Sequence, residues 1–198
     1  MIEFININKD APFLKFKQKY DDATNANQKN IEAICISSYS NKFNEVNARY
    51  VNLKILNNKN FIFFSNYNSP KSQEFTDHDQ ITAVIFWNNI NVQIRIKALI
   101  QKTSADFNSN YFLNRANNKN ALAISSNQSQ AIDSYETVIK NYNKSLETDN
   151  LNECPDYWGG YSFIPYYFEF WEGHNSRLNK REAYEKKGSD WHSSFLQP

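Results

Sequence analysis

Glycine is scarce in this chain. Its 198 residues include only four, Gly159, Gly160, Gly173 and Gly188. That leaves no G-x-G-x-x-G dinucleotide loop and no P-loop anywhere in the sequence. A bound phosphate would have to be held by Arg, Lys, Ser and helix N-termini. An excess of one charge is also absent. Lys and Arg number 22 against 21 Asp and Glu, a formal net charge of +1. Such a balance predicts no basic face for nucleic acid. No apolar run reaches the roughly 18 residues of a transmembrane helix, so no membrane association is predicted. Met1-Ile2-Glu3-Phe4-Ile5-Asn6 lacks a basic stretch followed by an apolar one, which predicts no signal peptide. Cys35 and Cys154 show no CxxC or Cys/His spacing. They predict reduced thiols in a cytoplasmic protein, without a disulfide or a metal site. His78, His174 and His192 lack ligand spacing and nucleophile partners, and read as surface or structural residues.

What is present reads as a single domain over residues 1–198. Residues 10 to 32 are polar and Lys-rich, with spaced Phe13, Phe16 and Tyr20, and predict an exposed helical N-terminal segment within about 1–32. Strands are predicted at Ala33–Ser38, Arg49–Lys54, Phe61–Ser65, Ile81–Trp87 and Val92–Gln101. Ser69-Pro70 reads as an N-cap followed by Pro at the first helical position, opening a helix to about His78. After Ser104 the period changes. Helices are predicted at 104–115, about 119–125 and 132–146. Strands then return at Tyr161–Phe163, Tyr166–Trp171 and Arg181–Lys186. Many strands joined by turns, without strand–helix alternation, predict a mainly β, α+β fold: an antiparallel barrel or sandwich with peripheral helices.

The densest stretch lies near the C-terminus. It runs Trp158-Gly159-Gly160, then Glu169-Phe170-Trp171-Glu172-Gly173, then Arg177-Leu178-Asn179-Lys180-Arg181. The order resembles the C-terminal signature of the pyridoxamine 5'-phosphate oxidase family, FMN-dependent enzymes. Further blocks match in order over roughly residues 33–198. Arg49 to Lys54 is similar to the family's R-x-V-x-L-K strand. Phe63-Phe64-Ser65-Asn66-Tyr67-Asn68-Ser69-Pro70-Lys71 is similar to F-[FY]-T-N-x-x-S-R-K, with Pro70 in place of Arg. Val92-Gln93-Ile94-Arg95 is similar to R-Q-V-R, and Val92 and Lys97 depart from the usual Arg and Gly. Tyr111-Phe112-Leu113-Asn114-Arg115 is similar to Y-F-x-x-R-P, and Ser126-Asn127-Gln128-Ser129 to S-x-Q-S.

The resemblance implies an FMN-binding split β-barrel and a homodimer with FMN between the subunits. It implies FMN contacts from Arg49, Phe64, Ser65, Lys71, Gln93, Gln128, Ser129, Trp171 and Arg181. It implies a phosphorylated aromatic substrate held by Lys54, Tyr111, Arg115 and Lys119, with Lys119 where the family has Ser. Arg177 is implied as the catalytic residue beside the reacting carbon. Asn179 stands where the family has a substrate-orienting His, and Asn cannot act as an acid or base near neutral pH. Trp158-Gly159-Gly160 reads as a structural turn. The implied reaction is oxidation of pyridoxamine or pyridoxine 5'-phosphate to pyridoxal 5'-phosphate with dioxygen. Two alternatives stay open: an FMN oxidase of another reduced aromatic compound, as in phenazine biosynthesis, and a non-catalytic flavin- or pyridoxal-phosphate-binding protein.

Overall fold

A computed structural model describes all 198 residues. Ten strands form one sheet: β1 (Glu3–Ile5), β2 (Ala33–Ser40), β3 (Glu45–Asn52), β4 (Ile55–Asn57), β5 (Asn60–Asn66), β6 (Gln80–Trp87), β7 (Val92–Lys102), β8 (Trp158–Glu172), β9 (Lys180–Lys187) and β10 (Asp190–Leu196). Five α-helices accompany them: α1 (Ala11–Asn25), α2 (Pro70–Asp77), α3 (Ala105–Leu113), α4 (Asn117–Ser125) and α5 (Tyr135–Thr148). No helix is long and apolar enough to cross a membrane.

Side-chain alternation explains the central strands. Ile81, Ala83, Ile85 and Trp87 of β6, and Val92, Ile94, Ile96, Ala98 and Ile100 of β7, are all buried. This is the period of two of a strand with one face on the core. The strand order is β1-β4-β5-β8-β7-β6-β2-β3. Its ends meet because β3 runs into β4 through Leu53 and Lys54. There the Leu53 amide donates to the Glu32 carbonyl at 2.8 Å, and the Lys54 amide to the Ile62 carbonyl at 2.8 Å. The chain thus passes from the β2 side to the β5 side and closes the barrel.

The 15-residue β8 is the branch point. Its first residues pair with β5, with Phe163 opposite Phe61. Its last pair with β9, with Trp171 opposite Arg181. Along its other edge it pairs with β7. The sequence suggested two strands here, Tyr161–Phe163 and Tyr166–Trp171. The strand continues because Pro165 lies at a bulge, where the register with β7 shifts between Lys97 and Ala98. A bulge is where a residue without an N–H is tolerated. Trp158-Gly159-Gly160 likewise begins this strand and is not a turn.

Helix α1 corrects another expectation. It is helical, but its apolar face is not exposed: Phe13, Phe16, Tyr20 and Ala23 are buried. Phe13 meets Phe168 edge-on at 5.3 Å, and Phe16 meets Phe61 at 5.0 Å. Each such ring contributes roughly 1.5–3 kcal/mol by leaving water. The N-terminal segment is therefore part of the 27-residue core, which runs from Ile2 to Tyr184.

Gly159 is required by close approach. A Cβ there would overlap the Tyr67 hydroxyl and the Asn108 side-chain nitrogen. Those two groups bond each other at 3.0 Å, and Tyr67 also donates to the Gly160 carbonyl at 3.0 Å. Gly159→Ala is expected to break this network and cost about 2 kcal/mol. A lower denaturant midpoint at unchanged slope would show it.

Candidate functional site

The largest cleft, about 930 Å³, opens where β3, β5, α3 and the loop after α4 converge. Its walls include Arg49, Lys54, Phe64, Ser65, Lys71, Tyr111, Arg115, Lys119, Gln128 and Ser129. These ten residues come from distant blocks of sequence, and the fold brings them together.

One end of the cleft is built around Lys71. Its side chain is buried, and its ammonium donates to Ser65 Oγ at 3.1 Å and Ser69 Oγ at 2.9 Å. Burial, reinforced by the nearby Arg49 charge and opposed by Glu74, lowers its pKa to about 8. No carboxylate forms an ion pair with it. Ser69 precedes Pro70 at the start of α2, as the sequence suggested, but makes no capping bond. Its hydroxyl instead donates to the Asn66 carbonyl at 2.7 Å. Gln128 reaches the same place. Its Oε1 accepts from Ser65 Oγ and from the Asn66 amide, both at 3.1 Å. Arg49, on β3, donates to Glu74 Oε2 at 2.8 Å. A buried ammonium, hydroxyls and the N-terminus of α2 form a cradle suited to a phosphate.

The other end has an aromatic wall. Phe64 stacks on Tyr111 at 3.7 Å and on Trp158 at 5.1 Å. Arg115 lies over Trp158 at 4.4 Å and donates to Asn120 Oδ1 at 3.1 Å. Burial pushes the Tyr111 phenol upward, against the attraction of Arg115. Tyr111 therefore stays protonated at neutral pH and can donate a hydrogen bond. Lys54 lies 3.7 Å from Glu32, a loose pair that leaves its ammonium available. Lys119 is exposed at the rim. This end offers a second set of cations beside flat rings.

Five residues marked in the sequence do not line this cleft: Gln93, Trp171, Arg177, Asn179 and Arg181. Gln93, Trp171 and Arg181 are direct register partners across β7, β8 and β9, and form one row. That row lies at the far end of β8 from Trp158, along a strand of roughly 45 Å when extended. Arg177 lies in the loop before β9 with φ of 60°, an unusual conformation for a non-glycine residue. Asn179 is turned inward on that loop. Its Oδ1 accepts from the His174 amide at 3.1 Å, and His174 Nδ1 accepts from the Ser176 amide at 3.2 Å.

The sequence reading left out Glu74 and Trp158 as site components, and gave Glu169 no role. Glu74 bonds Arg49 on a distant strand, and no local spacing signals that partner. Trp158 faces the cleft because β8 begins beside Phe64.

Comparison with known proteins places this architecture. A crystal structure of PhzG from Burkholderia lata, in complex with tetrahydrophenazine-1-carboxylic acid, superposes with a TM-score of 0.88 at 22% identity, covering 94% of this chain and 92% of that one. A pyridoxamine 5'-phosphate oxidase-related, FMN-binding protein from Nostoc punctiforme gives 0.76 at 11% identity, covering 92% and 97%. The fold is thus the FMN-binding split barrel. Residues 158–198 match the profile described as the pyridoxine 5'-phosphate oxidase C-terminal dimerisation region. Pyridoxine/pyridoxamine 5'-phosphate oxidase 1 of Hydrogenovibrio crunogenus is 32% identical over 191 residues, covering 94% of this chain and 88% of that protein. The corresponding enzyme of Trichormus variabilis is 34% identical over the same length and coverage. The chain belongs to the pyridoxine/pyridoxamine 5'-phosphate oxidase family.

Proposed function

We propose that this protein is an FMN-dependent oxidase that converts pyridoxamine or pyridoxine 5'-phosphate to pyridoxal 5'-phosphate, with dioxygen as the final acceptor. The observation that carries this reading is the double character of the cleft. It gathers Lys71, Ser65, Arg49, Gln128 and Ser129 as one group of polar and cationic side chains and Lys54, Tyr111, Arg115 and Lys119 as a second. Two phosphates with aromatic surface between them match that arrangement.

In this reading Lys71 and Ser65 hold the FMN phosphate, with Arg49, Phe64, Gln128 and Ser129 beside it. Lys54, Tyr111, Arg115 and Lys119 hold the substrate phosphate. FMN, when bound, supplies the acceptor for a hydride from the substrate. The chain's residues supply orientation and neutralise charge. Gln93, Trp171 and Arg181, with Arg177 and Asn179, complete the site from a second copy of the chain. The matched dimerisation region, which carries four of those five residues, supports that arrangement.

Asn179 favours a second reading, in which the substrate is another reduced aromatic compound. Its amide is engaged with the loop backbone, so no ionisable group is offered at that position. One assay separates the two. FMN-loaded protein is mixed without oxygen with pyridoxine 5'-phosphate, and the oxidised-flavin absorbance is followed. Bleaching, reversed by air, is the expected result. A stable flavin band would exclude the B6 phosphate as substrate.

A further inference from the structure

Only three charged side chains in the molecule are buried: Lys71, Glu74 and Glu169. Lys71 faces the cleft. The two glutamates do not line it, yet each grips an arginine that the family resemblance gives to FMN.

Glu74 Oε2 accepts from Arg49 Nη2 at 2.8 Å and also from Ser38 Oγ, and its Oε1 accepts from Asn47 Nδ2 at 3.0 Å. Arg49 Nη1 is fixed in turn by Ser38 Oγ and by the Ile36 carbonyl at 3.4 Å. Glu169 Oε1 accepts from Arg181 Nε at 2.9 Å and from Nη2 at 2.8 Å, a two-pronged grip. Its Oε2 accepts from the Tyr167 hydroxyl at 3.0 Å and from Arg95 Nη2. Arg181 Nη1 donates to the Gln197 carbonyl at 2.8 Å. Burial alone would push the Glu169 carboxyl up. The bonds from Arg181 and Tyr167 and the charge of Arg95 outweigh it and hold the group below the usual carboxylate range.

A guanidinium has five N–H donors in a rigid fork. After these contacts each arginine keeps two donors, and their directions are set. In each pair the carboxylate is buried while the arginine stays partly exposed, and a buried carboxylate is held at the cost of its lost water. Two such pairs, each on an assigned cofactor arginine, point to a purpose other than stability. Fixing a side chain in its bound orientation beforehand removes the ordering cost of binding.

We propose that Glu74 and Glu169 are positioning residues that hold Arg49 and Arg181 in the orientation in which they meet FMN. The inference rests on the flavin reading above. It makes a prediction whose sign runs against simple electrostatics. Replacing a carboxylate by an amide makes the site more positive, which by charge alone would tighten binding of an anion. Positioning predicts weaker binding.

The experiment is a titration of apoprotein with FMN, followed by quenching of flavin fluorescence, for the parent, Glu74→Gln and Glu169→Gln. Thermal midpoints of the apoproteins are recorded alongside. The expected result is a Kd raised at least about tenfold in each variant with the fold retained. A double-mutant cycle with Arg49→Lys keeps the test open if one glutamine variant folds poorly. Glu74→Asp in that background should have little further effect, because the glutamate acts through Arg49. Unchanged or tighter FMN binding by the glutamine variants, or full additivity in the cycle, would overturn the positioning role alone. A parent protein that fails to bind FMN would instead overturn the flavin reading, and this inference with it.

Discussion

Lys71→Met is expected to lower FMN affinity by about a hundredfold or more and, at the same time, to make the empty protein more stable. The first half follows from the cradle. Lys71 is a buried cation whose only partners are two neutral hydroxyls. A phosphate would turn them into charge-assisted contacts, and Met offers none. The second half follows from the cost of keeping that ammonium dry. Its folded-state pKa of about 8 lies below the ordinary 10.5. Between those values the unfolded chain holds more protons than the folded one, so stability rises with pH across that window. Below about pH 8 the penalty is present in full, as much as about 3 kcal/mol. Met fills similar space without it. Thermal melts of apoprotein at pH 7 and pH 10 check this. The parent should gain stability from pH 7 to 10 relative to the variant, and the variant should be ahead at pH 7. A variant that melts below the parent at pH 7 would mean that the ammonium is stabilising. The same displacement predicts proton uptake when FMN binds between pH 8 and 10. It would be read as a buffer-dependent heat in calorimetry.

Arg177→Ala is the second large effect. Turnover is expected to fall by about a thousandfold while FMN affinity stays within twofold of the parent. The loop that carries Arg177 is built from its own groups. Its amide donates to the His174 carbonyl at 2.9 Å, and the Asn179 and His174 side chains cap neighbouring amides. The guanidinium takes no part in those bonds. The φ of 60° is a strained setting held by the loop. Arg177→Gly relaxes that strain and serves as a control. If loss of the guanidinium is what matters, the Gly and Ala variants lose turnover alike. If the loop conformation matters more, they differ.

Much of the fold could be read from alternation. The buried rows of β6 and β7 are written in Ile81 to Trp87 and Val92 to Ile100, and Ser69-Pro70 marked the start of α2 within a residue. Where the reading fell short, the deciding partner was distant. Helix α1 looked exposed because Lys and Asp surround Phe13, Phe16 and Tyr20, yet Phe13 and Phe16 pack on Phe61 and Phe168, and Tyr20 on Trp87. The three residues of β1 are too short to signal a strand and exist only because β4 accepts them in parallel. β10 is the exception, since its partner β9 is adjacent; it was unmarked because its residues are mostly exposed and carry no apolar row. At the site, the family blocks point individually to ten residues that the fold brings into one cleft. The two glutamates were invisible because each gains its meaning from an arginine on another element. Asn179 looked like a lost imidazole, and its bond to the loop became visible only in three dimensions.

The position of β8 late in the chain carries a cost during synthesis. β5 and β7 both await the same strand, and Phe61 waits for Phe163 across about a hundred residues. Until β8 emerges, two apolar strands each have an open edge, and open edges invite pairing with other chains. A chain that stops short of Trp158 would keep all five helices and seven of the ten strands, yet have no means of closing them. Such fragments should aggregate rather than persist as smaller folded units. Nascent chains are exposed to the same hazard until the last fifth of the protein has left the ribosome.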